Sequence, residues 1–256
     1  MKFQRDVVAR KTFSKLRCAI AGLYVYRRLM NEAEIAFRQA VDLCPSFPEA
    51  NFGLADIYLK MGRFAEALQL METNQANDPN NDRIPGLISQ IKDKAQMNNR
   101  VNQLQAQLSK GSDTLDVMFE LATMYQRTGR EQQFQDLSMQ VLNNSNIPPQ
   151  AYLKVAELAS NPPRWPLMAE AYQRYLQREK SDPRAWLELA CVQIQMGQND
   201  RALQSLCQAV ACGGEPLKNV IRKDVRLIPL RSMEGFPKLV QPTQQPFAPL
   251  PGLLSP

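Results

Sequence analysis

The chain has 256 residues, with 31 Lys and Arg against 25 Asp and Glu, five cysteines and no histidine. Without an imidazole, Ser-His-Asp and Cys-His catalysis, His-ligated metals and a histidine pH switch are excluded. At 44% hydrophobic and 22% charged the composition is that of an ordinary globular protein, and its 11 glycines make a phosphate-cradling glycine loop improbable from the outset.

The cysteines (Cys18, Cys44, Cys191, Cys207 and Cys212) are odd in number and contain no C-x-x-C pair. They point to neither a disulfide framework nor a zinc site, and read as small hydrophobes in a reducing compartment. The longest apolar run, Cys18 to Tyr26, is nine residues, about half of what crosses a bilayer. It follows a basic stretch, as a signal-peptide core does, but Arg27 and Arg28 stand where a small-residue cleavage site belongs. The first thirty residues carry eight cations and one anion, Asp6. The remainder is close to neutral, so no nucleic-acid footprint runs along the chain.

In chain order, a basic flank over 1–13 precedes the first of a series of units with a 34-residue period. Residues 14–47 place Ile20, Ala21 and Tyr24 on one helix and Ala33, Phe37 and Ala40 on the next, before Pro45. The clearest spacing is in 48–81: Leu54, Ala55 and Tyr58, a turn at Gly62, then Ala67 and Met71, and a stop at Asp78-Pro79. Residues 82–114 lack this signature and are predicted to form a degenerate unit of two helices, Ile84–Lys94 and Gln96–Lys110. The pattern returns in 115–148 with Leu121, Ala122, Tyr125 and Gly129, although Phe134 stands where its second helix calls for alanine. Residues 149–182 insert a Pro-rich turn, Asn161 to Pro166, and 183–216 repeat the pattern with Trp186, Leu189, Ala190, Gly197, Ala202 and Ala209. A capping segment is expected over 217–240, and a Pro-rich tail, disordered or polyproline-like, over 241–256.

Alanine at the crossing points lets two helices approach to about 8–10 Å. A single pair cannot bury its apolar face, so neighbouring pairs must stack. This constellation resembles the tetratricopeptide repeat family, W-x2-L-G-x2-Y, then A-x3-F-x2-A, then P, over about 14–216. The best match is Pro183 to Pro216, and the first unit departs by having Arg28 where the turn glycine belongs. The resemblance implies an all-α, right-handed superhelical solenoid acting as a non-catalytic scaffold that binds a protein or peptide partner, with no cofactor, metal or nucleic acid.

The surface that such an array offers a partner is the concave groove lined by the first helix of each unit. The candidates are Phe52, Asp56 and Leu59; Phe119, Thr123 and Gln126; Leu153 and Glu157; Leu187 and Ile194. Cys18, Gly22, Val25 and Cys191 fall in the same register. The family's carboxylate clamp of Lys, Asn and Arg would fall on Cys18, Gly22, Phe52, Gly53 and Arg184, of which only Arg184 is compatible. A clamp is therefore not expected, and an extended, partly apolar segment suits the groove better.

A second resemblance rests on Lys15-Leu16-Arg17, Ile20 to Tyr24 and Glu34 to Ala40. These look like the C-terminal repeat region of large bacterial multi-pass membrane proteins similar to lipid-sugar-dependent glycosyltransferases. It implies a soluble regulatory or substrate-presenting domain, cytoplasmic or tethered at the inner membrane, with Met1 an internal boundary. The N-terminal basic cluster would then lie near the membrane.

Overall fold

In a computed structural model, residues 6–111 and 114–241 are described, and they are helical with no strand among them. Eleven longer helices follow in order: α1 (Val7–Tyr26), α2 (Met30–Leu43), α3 (Pro48–Lys60), α4 (Phe64–Asn77), α5 (Arg83–Ser109), α6 (Leu115–Arg127), α7 (Glu131–Asn143), α8 (Gln150–Leu158), α9 (Trp165–Arg178), α10 (Pro183–Gln195) and α11 (Asn199–Lys223). A 3-10 turn (Val225–Leu230) and a short α12 (Gly235–Leu239) end the described chain. Beyond Gln241, the Pro-rich tail expected over 241–256 lies outside the described residues. The chain divides into two compact units, Met1–Ala106 and Gln107–Pro256.

In the first unit α1 packs on α2, α2 on α3 and α3 on α4. The alanines predicted at the crossings are where the helices meet: Ala21, Ala33, Ala40 and Ala67 are fully buried. Around them Phe37, Leu54, Tyr58 and Met71 fill one core together with Ile84, Ile88 and Ile91 of α5. The fit is close at Gly53, where an added Cβ would stand 2.6 Å from Cζ of the Phe37 ring. The second unit repeats the scheme from α6 to α11, each helix packed on the next. Its last core joins Leu206 and Ala209 of α11 to Leu217, Ile221, Leu227, Leu230 and Phe236. Helix α11 is two helical pieces, broken at Gly214 (φ 61°, ψ −153°) and resumed at Pro216.

Three expectations are corrected. The two helices predicted within 82–114 are one, α5. No Gly or Pro stands between Gly86 and Gly111, and Ala95, at the expected break, is the best of helix formers. The helix ends at Gly111, whose φ is +81°. The residues assigned to a basic flank enter the first helix from Val7 onward, because Asp6 caps it by accepting hydrogen bonds from the N–H groups of Val8 (3.0 Å) and Ala9 (3.1 Å). The cysteines are not uniformly interior: Cys191 is buried, Cys18 and Cys44 half-buried, and Cys207 and Cys212 exposed.

The first turn shows how the missing glycine is replaced. Gly62, Gly129 and Gly197 adopt φ of +75°, +69° and +73°, and Arg28 adopts +60° at the same place. Each is followed by an N–H donating back across the turn, from Leu29 to the Tyr24 carbonyl (2.9 Å) in the first case and from Arg63 to that of Tyr58 (2.8 Å) in the second. An L residue in this region carries strain on the order of 1 kcal/mol. Arg28→Gly is accordingly expected to raise stability by about 0.5–1 kcal/mol in urea denaturation; destabilisation would mean that the arginine side chain outweighs its backbone.

Candidate functional site

Helix α3 begins at Pro48 in its first turn and ends at the Gly62 turn, and this register orients Phe52, Asp56 and Leu59. Phe52 and Leu59 are half-buried beside the core of the first unit, and Asp56 is exposed and paired with Lys60 at 2.5 Å. Between α3 and the start of α5 lies a cavity of about 470 Å³ lined by Phe52, Asp82, Arg83, Gly86, Leu87 and Gln90. The Arg83 guanidinium stands over the Phe52 ring at 5.3 Å from its centroid. Among the described residues no carboxylate forms an ion pair with Arg83. A Cβ added at Gly86 meets nothing within 4 Å, so the floor of this cavity is open. The site thus offers an aromatic face, an aliphatic wall at Leu87 and one unpaired cation.

In the second unit Phe119, Thr123 and Gln126 lie along α6 and Leu153 and Glu157 along α8. The Thr123 hydroxyl donates to the Phe119 carbonyl at 2.8 Å. The Gln126 amide donates to the carbonyls of Leu158 (3.2 Å) and Asn161, tying α6 to the turn after α8. Glu157 is exposed and pairs with Lys154 at 2.8 Å. Leu187 and Ile194, expected on an open groove, are buried with Cys191 in the last core of the unit. Their face of α10 is covered by the segment that follows α11, a long-range contact with no local signature.

The charged clusters are internally satisfied. Arg63 bonds Glu34 at 2.6 Å and also Glu66, and its guanidinium lies 4.6 Å from the Tyr58 ring centroid. Its hydrogen bonds raise the arginine's pKa and lower that of Glu66. Arg226 bridges Glu188 and Asp224, both at 2.8 Å, and its hydrogen bonds hold the Asp224 carboxyl below its ordinary value. Burial pushes the nearby Cys191 thiol up to about 12, which leaves it a poor nucleophile at neutral pH. Among the described residues no group of Cys, Asp and Glu could hold a metal ion, and no helix is long and apolar enough to cross a membrane.

Family models described as tetratricopeptide repeat match residues 30–91 and 183–211, which cover α2 to α5 and α10 to α11. These two stretches are tetratricopeptide repeats. The left-handed turns at Gly62 and Gly197 lie within these matched stretches, and the fold is all-α as the resemblance implies. Among solved structures the chain is similar to YrrB, described as a TPR protein with an unusual peptide-binding site (14% identity, 86% of this chain and 93% of that one, TM-score 0.35). It is also similar to MamA (13% identity, 80% of this chain and 94% of that one, TM-score 0.33). The MamA of Desulfovibrio magneticus RS-1 is similar as well (10% identity, 78% and 94%, TM-score 0.31). No curated protein matches the chain.

Sequence reasoning missed Arg83, Gly86 and Leu87 as partners of Phe52. They lie in the stretch without repeat signature, about thirty residues from Phe52, and a cation stacked on an aromatic ring leaves no periodic trace. Gln126 was read as a groove residue, whereas its amide is spent on two backbone carbonyls.

Proposed function

We infer that this repeat protein is a non-catalytic protein-interaction scaffold whose partner segment docks on the first unit between α3 and α5. The observation that carries this is the open cavity at Phe52, with the guanidinium of Arg83 over the ring and no carboxylate paired to it. An apolar side chain of the partner would enter beside Phe52 and Leu87 while an adjacent carboxylate meets Arg83. The partner read from this chemistry is an extended peptide or protein segment that joins an apolar residue to an acidic one. Leu59, Phe119, Thr123 and Leu153 extend the proposed groove chemistry along the first helices of their own units, and Asp56 and Glu157 add its acids. Proximity to a membrane through the N-terminal basic cluster belongs to the same proposal.

Selection from a random peptide library displayed on phage tests the docking site. Enrichment of peptides with an apolar residue next to Asp or Glu is expected. Arg83→Glu, Phe52→Ala and Gly86→Phe should each weaken the selected peptides at least tenfold, on the order of 1.4 kcal/mol. The Gly86 variant fills the cavity and leaves the core untouched. Equal affinity in all three variants, with the fold intact by circular dichroism, overturns the site.

A further inference from the structure

Helix α1 has one face in the core of the first unit and the opposite face bare. On the inner side Ala21 is fully buried, Cys18, Val25, Ile20 and Tyr24 pack against the core, and the buried Ser14 hydroxyl donates to the Ala40 carbonyl at 2.8 Å. Arg10 is spent on the same side, donating from Nε to the Leu43 carbonyl at 2.7 Å. The outer side carries Val8, Thr12, Leu16, Ala19, Leu23 and Tyr26, in steps of three and four residues. That spacing is a single stripe along a helix of about 30 Å. Its large members are bare: Val8 is 74% exposed, Leu16 56%, Leu23 66% and Tyr26 88%.

The charges around the stripe decide what covers it. At 3.6 residues per turn, Lys11 and Lys15 flank it on one side and Arg27, capping the end of the helix, on the other, with Arg28 just beyond. Between Val7 and Arg28 there is no acidic residue. Among the described residues none of these four cations has an ion-pair partner. A second copy of the helix would set like charges against each other. An acidic helix would satisfy one flank and leave the other in water. A planar anionic surface meets both flanks at once while the stripe enters between them, and the long stems of Lys and Arg let their charges reach the headgroups.

We propose that α1 is an interfacial helix that lays its Val8–Leu16–Leu23–Tyr26 face on an anionic lipid surface. This deepens the membrane-proximity part of the proposed function and rests on it. It is independent of the Phe52 cavity, to which α1 contributes no residue. Charge draws the chain to the bilayer, and insertion of the stripe fixes which face of the first unit lies against it.

The test is co-sedimentation of the full chain with vesicles of equal parts phosphatidylglycerol and phosphatidylcholine, against vesicles of phosphatidylcholine alone. Binding to the anionic vesicles only is expected. It should fall at least tenfold in Leu16→Ser/Leu23→Ser and, separately, in Lys11→Gln/Lys15→Gln. The substituted side chains are exposed, and circular dichroism checks that the fold persists. Lys223→Gln, which removes an exposed cation on α11, should bind vesicles as the parent does. If the serine variant binds undiminished while the glutamine variant does not, membrane proximity stands by charge alone and the seating of α1 is overturned. Failure of the parent to bind anionic vesicles overturns both. A dimer in solution that the serine variant abolishes, with no vesicle binding, would give the stripe to a second copy and overturn the proposal as well.

Discussion

Phe134→Ala is expected to cost the second unit about 3–5 kcal/mol. Phe134 is fully buried on α7 and occupies the position at which Ala33, Ala67 and Ala202, equally buried, stand in other repeats. The substitution therefore moves the sequence toward the pattern of the other repeats and the structure away from its own packing. Two effects compete. Helices α6 and α7 could close over the missing ring and recover the tighter crossing that alanine allows. Against this, the ring is a platform for the turn after α8. The Arg164 guanidinium lies 4.2 Å from its centroid, bonds Glu131 at 2.6 Å and donates to the Pro162 carbonyl at 3.1 Å. Closing α6 on α7 would pull the floor from under that arginine, so collapse is partial and a cavity remains. Urea unfolding of the full chain measures the loss. An Arg164→Met partner in a double-mutant cycle should show coupling of about 1 kcal/mol. A total loss below about 1 kcal/mol would mean that the helices do close, and that the ring is a tolerated intrusion.

Leu227→Ala carries the second large effect, about 3–5 kcal/mol, because the side chain is fully buried where the segment after α11 closes the last core. The neighbouring Arg226→Gln removes bonds to Glu188 and Asp224 yet should cost under about 1 kcal/mol, since Arg226 and Glu188 keep access to water and the nearly buried Asp224 still accepts from the backbone N–H of residue 226 at 2.9 Å. The same cluster sets a pH dependence. Asp224 has its pKa lowered from 3.8, so its contribution is present at neutral pH and lost as the pH falls below that value through the folded-state one. Unfolding midpoints of the two variants at pH 7 separate packing from charge. The Leu227 variant should also bind a hydrophobic dye, because the apolar face of α11 opens. Equal losses in both variants would reverse the assignment and make the ion-pair cluster the main fastening.

The repeat architecture was legible because its causes are local. A 34-residue period, alanines at the crossings and glycines at the turns can be read along the chain, and Ala21, Ala55, Ala67, Ala190, Ala202 and Ala209 are buried as the spacing requires. The candidate site was legible in part. Phe52 was found from its register, but Arg83 and Gly86 came from the stretch without a signature, and Leu187 and Ile194 went to the core.

By itself the sequence determined helix, turn and pairing, since each depends on residues a few positions apart and on steric rules that hold wherever the chain goes. Tertiary structure alone decided the rest. It gave Arg28 a glycine's conformation. It also covered one face of α10 and left the outer face of α1 bare. Each of these depends on which distant surfaces meet. Burial is a property of contacts between segments far apart in the chain, and a one-dimensional pattern records only that a face is apolar, not what lies against it.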